Sequence, residues 1–344
     1  MATITAAMVK QLRDRSGAGM SDCKGALTEA DGDLDKAFEL LQVKLRGKVE
    51  NRSGRVATEG AALTELSADA KTAAIVEVNC QTDFVANGDG FKQFARLAAQ
   101  TALKSGAADL AALESANVDG KTLKELCDDL TAKSGEKHAL RRVERVTTTG
   151  HIGSYVHFNS KIAVLVAVEG DGDLATVAEE VAIQAASLKP SYVHRSEVGA
   201  DEIAKQKEIA AAQIKAEEDD AVAELAAWEK RMQEAQDPSE ITDAVKAKQA
   251  ELAKKAKSLS SRPQQAKDKI IEGKVNKWMT DVVLLDQASV KESKLSLAAY
   301  IATLNKSAKV AKVVRFEVGE GAEKVATKDF AAEVAEMEAK AAKA

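Results

Sequence analysis

The side chains most able to do chemistry lie in one short stretch, residues 77–87, directly after an apolar run with several β-branched residues. Cys80 could serve as a nucleophile, because thiolates attack readily, although no histidine in the sequence is placed as its evident base. Asp83 and Phe84 set a carboxylate beside a large ring where the chain turns polar. Phe84 could fold back into the core, or the pair could be a probe that contacts another protein, since loops on rigid scaffolds often carry function.

Other chemical motifs in the sequence are incomplete. Residues 120–122 imitate the end of a phosphate-binding loop, but Ser115 stands where a glycine is required and no strand leads in. The acidic run at residues 31–35 suggests a calcium loop, yet Lys36 occupies the position that needs glycine, which favours a helix stop and cap. The four histidines share no metal-ligand spacing with the cysteines. We therefore expect no catalytic residue, no cofactor and no metal.

Composition narrows the class of protein. The chain has 344 residues and a net charge of −5 with both signs mixed, which argues against a nucleic-acid binder that works through a strong positive field. Aromatic residues make up 3%, too few to expect base-stacking platforms. The three cysteines are scattered and odd in number, as suits a reducing compartment. With no apolar leader and no membrane-spanning run, we expect a soluble cytoplasmic protein with no membrane partner and no direct nucleic-acid partner.

The residues before the candidate stretch predict a small helical module. Apolar spacing indicates a first helix capped by Thr5, a second that starts near Ser21 and a third that follows the stop at residues 31–33. Residues 44–60 are polar and indicate a tether. The predicted apolar faces comprise Met8, Val9, Leu12, Cys23, Ala26, Leu27, Leu34, Ala37, Phe38, Leu40 and Leu41.

Two later regions repeat one order of elements, strand, strand and helix, which predicts two related α+β subdomains. Only the first copy carries the Asp-Phe pair between its second strand and its helix, as we expect if that loop is specialised for a partner. The residues between the copies, 107–145, are predicted to be helical. The two copies are 61–66, 73–78 and 91–103, and then 152–158, 161–169 and 174–188.

A long helical segment follows. From residue 200 the composition shifts to Ala, Lys, Glu and Gln, and apolar residues recur at threes, fours and sevens. Asp237 and Pro238 stop the first helix and begin the next, which predicts an antiparallel hairpin that leaves the core and returns, with arms of about 55 Å. Residues 311–318 then predict a strand of the second subdomain, and residues 329–344 a last helix.

Three stretches resemble one known family. Residues 77–87 match, as they stand, the second signature of the elongation factor Ts family, and residues 12–27 closely resemble the first. Ser16 and Gly25 depart from that first signature, and Gly25 would cost about 1 kcal/mol in a helix interior. Residues 315–321 resemble the closing strand and turn of the family.

The resemblance implies a function and a partner. Family members bind elongation factor Tu in its GDP-bound and nucleotide-free states and promote release of GDP. By resemblance, Arg13, Met20 and His157 contact that partner, His157 at the end of a strand turn that faces its nucleotide-binding domain. A second group is implied both to bind the partner and to dislocate its Mg²⁺, namely Thr82, Asp83, Phe84 and Val85.

The resemblance also implies a domain organisation of class α+β. It comprises an N-terminal three-helix module that is ubiquitin-associated-like, two core subdomains, a protruding helical hairpin lengthened by insertion, and a C-terminal helix that contacts the partner. An alternative is a helical structural or chaperone-like protein that acts through the hairpin. The boundaries are 1–55, 56–150, 151–199 with 281–321, 200–280, and 322–344.

Overall fold

A computed structural model describes residues 3–50, 52, 54–234 and 242–322 of the chain. These residues form helices and small antiparallel sheets, so the predicted α+β class is confirmed. By their internal contacts the residues divide into two compact units, the first formed by Met1–Leu188 with Ile301–Ala344 and the second by Lys189–Tyr300. The finer division into five segments stays a prediction.

The first unit begins with three helices, α1 (Ala6–Ser16), α2 (Met20–Glu29) and α3 (Leu34–Glu50). The Thr5 hydroxyl caps α1 by accepting a hydrogen bond from the backbone N–H of Met8, at 3.3 Å. The apolar sides of the three helices share one core, because each helix alternates buried and exposed residues at helical spacing. The buried members are Val9, Leu12, Ala18, Cys23, Ala26, Leu27, Ala37 and Leu41.

The first sheet is antiparallel and has three strands in the order β1-β2-β5. Helix α5 packs on one face of it, and its apolar stripe shares a core with that face. The elements after α3 are β1 (Glu59–Leu66), β2 (Thr72–Cys80), α4 (Asp83–Asn87), α5 (Asp89–Ser105), α6 (Leu110–Ser115), β3 (Asn117–Val118), β4 (Lys121–Thr122), α7 (Leu123–Ser134) and β5 (His138–Thr147).

The prediction that residues 107–145 are helical is wrong at residues 117–122, where β3 and β4 pair, and again after α7, where β5 forms the third strand. The register of β5 on β2 shifts at Arg141, because Val78 pairs with Leu140 while the preceding Glu77 pairs with Arg142. This bulge places Leu140 and Val143 in the same core although they are three residues apart. Three-residue spacing of apolar side chains is typical of a helix. The apolar pattern of β5 therefore predicts a helix although the residues form a strand with a bulge.

The second sheet is also antiparallel and follows the order β6-β7-β8. Its strands are β6 (His151–Val156), β7 (Ile162–Glu169) and β8 (Lys309–Glu317), and α8 (Ala175–Leu188) packs against β6 and β7. The two sheets face each other, with a helix on the outer side of each. Their shared apolar core comprises Ala62, Ala73, Ile75, Val146, Ile152, Ala163, Leu165, Ala167, Val314 and Phe316.

The second unit contains α9 (Ala200–Glu234), α10 (Asp243–Ser260) and α11 (Gln264–Val282). Two ion pairs show that α9 runs antiparallel to the other two helices. Lys255 lies 3.0 Å from Glu224, and Lys267, twelve residues later, lies 2.8 Å from the earlier Glu218. A final helix, α12 (Leu297–Leu304), precedes β8.

Two predicted features fall on residues that the structure does not describe. The helix stop at Asp237 and Pro238 lies outside the described residues, and so does the C-terminal helix over 329–344. Within the described ranges, no helix has both the length and the apolar character needed to span a membrane.

Candidate functional site

The predicted loop after β2 is a single helical turn, α4, held at its start by Thr82. The Thr82 hydroxyl accepts a hydrogen bond from the backbone N–H of Val85 at 3.4 Å. The same hydroxyl donates to the Glu136 carboxylate at 2.9 Å, and the Thr82 backbone N–H donates to it at 3.1 Å. Since Glu136 lies just before β5, whose His138 pairs with Cys80 of β2, the start of α4 is fixed to the neighbouring strand.

Helix α4 turns two residues inward and two outward. Ala86 is buried, and Val85 packs against the core beneath α5. Asp83 is exposed, and the Phe84 side chain is 86% exposed. Of the two interpretations of Phe84, packing in the core is therefore wrong, and presentation on the surface is what the fold produces. An exposed ring on an anchored turn is available to bury against another protein.

Cys80 is not suited to act as a nucleophile. It lies fully buried at the end of β2, and its thiol donates to the Thr82 carbonyl at 3.3 Å. The pKa of Cys80 is raised to about 12, mainly because the thiol is buried; Lys161 opposes this shift, and the carboxylates of Glu136 and Glu59 add to it. The thiolate fraction at neutral pH is consequently negligible, which excludes a role for Cys80 as a nucleophile.

His157 lies in the turn that joins β6 to β7. It is half-buried, and its Nδ1 lies 2.9 Å from the hydroxyl of Tyr155. The ring of Phe158 packs against the imidazole in a tilted arrangement, with ring centroids 4.5 Å apart and an angle of 54° between the ring planes, and Phe158 is 90% exposed. Sequence reasoning selected His157 and missed Phe158, although an aromatic residue directly before the turn residues Asn159 and Ser160 is a usable signal of exposure.

The β6–β7 turn and α4 lie at the same end of the stacked sheets. The Ser160 carbonyl accepts a hydrogen bond from the Ala62 N–H at 2.8 Å, and Lys161 reaches the Glu59 carboxylate. In the first sheet Glu59 pairs with Cys80, the last residue of β2. The turn that carries His157 therefore lies beside the strand end from which α4 begins.

Arg13 and Met20 flank the tight turn between α1 and α2, and both are exposed, Met20 by 50%. Gly17 makes that turn with φ +67°, a conformation that residues with a Cβ rarely adopt. A Cβ at Gly17 would lie 2.4 Å from Cε of Lys133, so the turn lies against the end of α7. Helix α7 leads directly to Glu136, which binds Thr82. The structure thus brings the α1–α2 turn to the same region as α4.

Glu77 is a buried charge that stiffens this end of the first unit, and its role has no local signal in the sequence. Its carboxylate, fully buried, accepts hydrogen bonds from Arg141 at 2.7 Å and Arg142 at 2.5 Å. It also accepts from the backbone N–H of Gly319 at 2.8 Å, just after β8. Two guanidinium groups and one amide compensate the desolvation of the carboxylate, so the end of the second sheet is bound to the middle strand of the first.

The described residues contain no group of three or more His, Cys, Asp and Glu side chains arranged to hold a metal ion. The acidic run at residues 31–35 has a structural role instead. Asp33 accepts hydrogen bonds from the backbone N–H groups of Asp35 and Lys36, at 3.0 and 3.1 Å, and so caps α3. The arrangement as a whole offers an anchored surface with exposed side chains on α4 and on the β6–β7 turn.

Comparison with known proteins gives one consistent result. A family model described as Elongation factor TS matches residues 81–320. Proteins named elongation factor Ts from Clostridioides difficile (strain 630) and Aromatoleum aromaticum are each 37% identical, over 98% and 99% of this chain and 99% of their own lengths. The protein of that name from an Azoarcus species is 38% identical over 99% of both chains.

Proposed function

This chain belongs to the elongation factor Ts family, and on that premise we propose that it promotes release of GDP from elongation factor Tu during translation elongation. The resemblance found in the sequence is confirmed by the family match. The observation that carries the proposal to particular residues is the exposure of Phe84, with Asp83 beside it, on an anchored helical turn.

The proposed mechanism acts on a metal ion that this chain does not bind. GDP is held partly by Mg²⁺, which links the phosphate charge to oxygen ligands and waters. Insertion of Phe84 between helices of the partner, with Asp83 adjacent, shifts the backbone that positions the water shell of the metal. Loss of Mg²⁺ leaves the phosphate repulsion uncompensated, and GDP dissociates faster.

The anchoring of α4 supports this mechanism. Inserting a side chain into a packed partner displaces atoms of that partner. The inserted side chain must therefore be held more rigidly than the atoms that it displaces. Thr82 is held by three hydrogen bonds to Glu136, and Val85 packs into the core. A force on Phe84 is therefore transmitted to the first sheet. Each tenfold acceleration of release needs about 1.4 kcal/mol, so an acceleration of thousands-fold needs several contacts besides the ring.

Arg13, Met20 and His157 supply further binding energy in this proposal. Arg13 lies in the last turn of α1, Met20 begins α2 and His157 lies in the β6–β7 turn, all toward the end of the first unit that carries α4. The helices α1–α3 would dock on the nucleotide-binding domain of the partner as a ubiquitin-associated-like module. The residues beyond 322 are proposed to add a last contact.

The chain acts as an exchange factor and forms no covalent bond with nucleotide. Thermodynamic linkage requires that if this protein weakens the binding of GDP to the partner, GDP weakens the binding of this protein by the same factor. The complex is therefore tightest in the nucleotide-free state, and entry of GTP releases the chain. The partner is bound both with GDP and without nucleotide along this cycle.

A direct test measures GDP release from elongation factor Tu loaded with a fluorescent GDP and chased with excess unlabelled nucleotide. The wild-type chain should accelerate the release strongly, and Phe84→Ala should accelerate it far less. Val222→Ala in α9 is a matched control, because it also truncates an exposed apolar side chain, here 50% exposed. Absence of acceleration by the wild-type chain would contradict the proposal and favour the alternative of a structural or chaperone-like protein.

A further inference from the structure

We propose that Phe158 is a second apolar anchor for the same GTP-binding partner, and that it sets the affinity for that partner more than the rate of GDP release once the complex has formed. This inference rests on the proposed function. Phe158 is the most exposed large apolar side chain among the described residues, at 90%, and no step of the proposed mechanism uses it.

The turn that carries Phe158 is rigid. The His157 N–H donates to the Ile162 carbonyl at 2.8 Å, and the Ser160 N–H donates to the His157 carbonyl at 2.7 Å. The Asn159 side-chain oxygen accepts from the Lys161 N–H at 3.0 Å, which closes the turn from the other side. A rigid turn loses little conformational entropy on binding, so most of the energy from burying the ring contributes to affinity.

The Phe158 ring is held in one direction by its neighbour. The His157 ring packs against it at a tilt, with ring centroids 4.5 Å apart, and the Tyr155 hydroxyl in turn fixes the imidazole through the 2.9 Å contact with Nδ1. A series of side-chain contacts thus runs from Tyr155 on β6 through His157 to Phe158, which is exposed to solvent. His157 is then both a contact and the support of the more exposed ring.

The position of Phe158 assigns it to the face that carries Phe84. The β6–β7 turn is bonded to β1 through Ala62 and through Lys161 with Glu59, and Glu59 pairs with the residue two positions before Thr82. The two exposed rings come from different sheets, so a partner that touches both is held at two separate points. Two points of contact fix the orientation at which Phe84 meets the partner.

The surroundings of Phe158 fit a hetero-complex better than a contact between two copies of this chain. The residues that follow it in the turn are Asn159, Ser160 and Lys161, and the neighbouring strand contributes Glu59, all polar. A single aromatic anchor inside a polar rim is the usual form of a strong contact in complexes between different proteins. Interfaces between identical subunits bury broader apolar areas.

The test measures the GDP release rate against the concentration of exchange factor for wild type, Phe158→Ala, Phe158→Tyr and Phe84→Ala. Truncation of a buried aromatic anchor should raise the half-maximal concentration roughly tenfold or more. The maximal release rate of Phe158→Ala should stay within about twofold of wild type, because a contact made equally before and after nucleotide loss changes binding and not the rate. Phe158→Tyr keeps the ring and should behave as wild type, whereas Phe84→Ala should lower the maximal rate.

Three results would overturn the inference. An unchanged half-maximal concentration for Phe158→Ala, with an active wild-type chain, removes Phe158 from the interface and leaves the proposed function standing. An equal loss of maximal rate for both alanine variants contradicts the division of roles. Self-association of the wild-type chain that Phe158→Ala abolishes, measured by sedimentation, would assign the ring to a second copy. An inactive wild-type chain would instead remove the proposed function itself.

Discussion

The two sheets of the first unit are followed by helices in the same way, and they differ most where the second strand joins its helix. In the first sheet that connection is α4, which is capped by Thr82 and presents Phe84 to solvent. In the second sheet it is the short loop at residues 170–173, and Asp173 accepts hydrogen bonds from Thr176 at the start of α8. The same order of strands and helix thus presents an exposed aromatic ring in one copy and only a capped helix start in the other.

This difference indicates that the sheets and helices provide rigidity, whereas the proposed contact with the partner depends on the side chains of the connection. Both connections use a polar side chain to satisfy backbone N–H groups at a helix start. Both connections are also bonded to a segment distant in sequence, the first through the Glu136 carboxylate and the second through Asn305 and Ser307, which bond to Asp171 and Asp173. The two connections therefore differ in what they present to solvent, which is the Phe84 ring in the first and only Gly and Asp at residues 170–173 in the second.

Phe84→Ala should have the largest effect on exchange. Loss of a ring that is buried only in the complex costs about 2–3 kcal/mol, which slows GDP release about 30- to 160-fold at saturating exchange factor. The side chain is 86% exposed, so the melting temperature of the free chain should hardly change. Stopped-flow release from the loaded partner, together with thermal melting, measures both. A wild-type release rate would exclude Phe84 from the mechanism.

Thr82→Ala should have the next largest effect, since it removes the cap of α4 and the hydroxyl bonded to Glu136. We expect a loss of about 1–2 kcal/mol in the free energy of unfolding and a severalfold slower release of GDP. Urea unfolding and the release assay measure the two effects.

Asp173→Ala is the matched control for Thr82→Ala, because it removes the corresponding side chain from the second connection. It should lower the free energy of unfolding slightly, as loss of an exposed helix cap does, and leave the release rate unchanged. If both variants slowed release equally, the slower rate would reflect stability alone, and the comparison between the two connections would carry no functional meaning.

A smaller effect than those of the substitutions above is expected for the contribution of Asp173 to the pH dependence of the free energy of unfolding. The hydrogen bonds from the side chain and backbone of Thr176 lower its pKa in the folded chain below the ordinary value. A lowered folded pKa adds stability above the unfolded pKa, and this contribution is lost as the pH falls through the folded pKa. Asn is as good a cap and does not titrate, so the difference in stability between wild type and Asp173→Asn should shrink from pH 6 to pH 3. A constant difference over that range would show that Asp173 has no lowered pKa.

Deletion within the second unit should have the smallest effect. Removal of residues 215–255, with the ends rejoined by a short flexible linker, should leave GDP release nearly intact, because the proposed contacts all lie in the first unit. Circular dichroism should show loss of helix in proportion to the residues removed. A large fall in the release rate would show that α9 or α10 binds something that exchange requires.

Much of the fold could be predicted because its elements carry local signals. The strands β1, β2, β6 and β7 are short apolar runs, and helices α5 and α8 have clear stripes, so their existence follows from periodicity. The strand β5 was missed because a bulge at Arg141 changes its spacing. A bulge depends on the partner strand, which local spacing does not contain.

The site could be located from the sequence, but its geometry could not. Whether Phe84 packs inward depends on Val85 and Ala86, which occupy the inner side of α4 only because Thr82 and Glu136 fix its direction. Thr82 and Glu136 are separated by 54 residues, so no short motif reports the contact. Phe158 was missed for a related reason, since its exposure follows from a turn that is closed by hydrogen bonds across β6 and β7.

The buried Glu77 has a consequence for how the chain matures during its own synthesis. The carboxylate belongs to a strand made early, whereas the Gly319 amide that completes its coordination lies 242 residues later. A nascent chain that has reached only residue 300 holds Glu77 with its two arginines while β8, and with it one edge of the second sheet, has yet to emerge from the ribosome. The surface proposed to promote exchange therefore becomes fully rigid only when nearly the whole polypeptide has been translated.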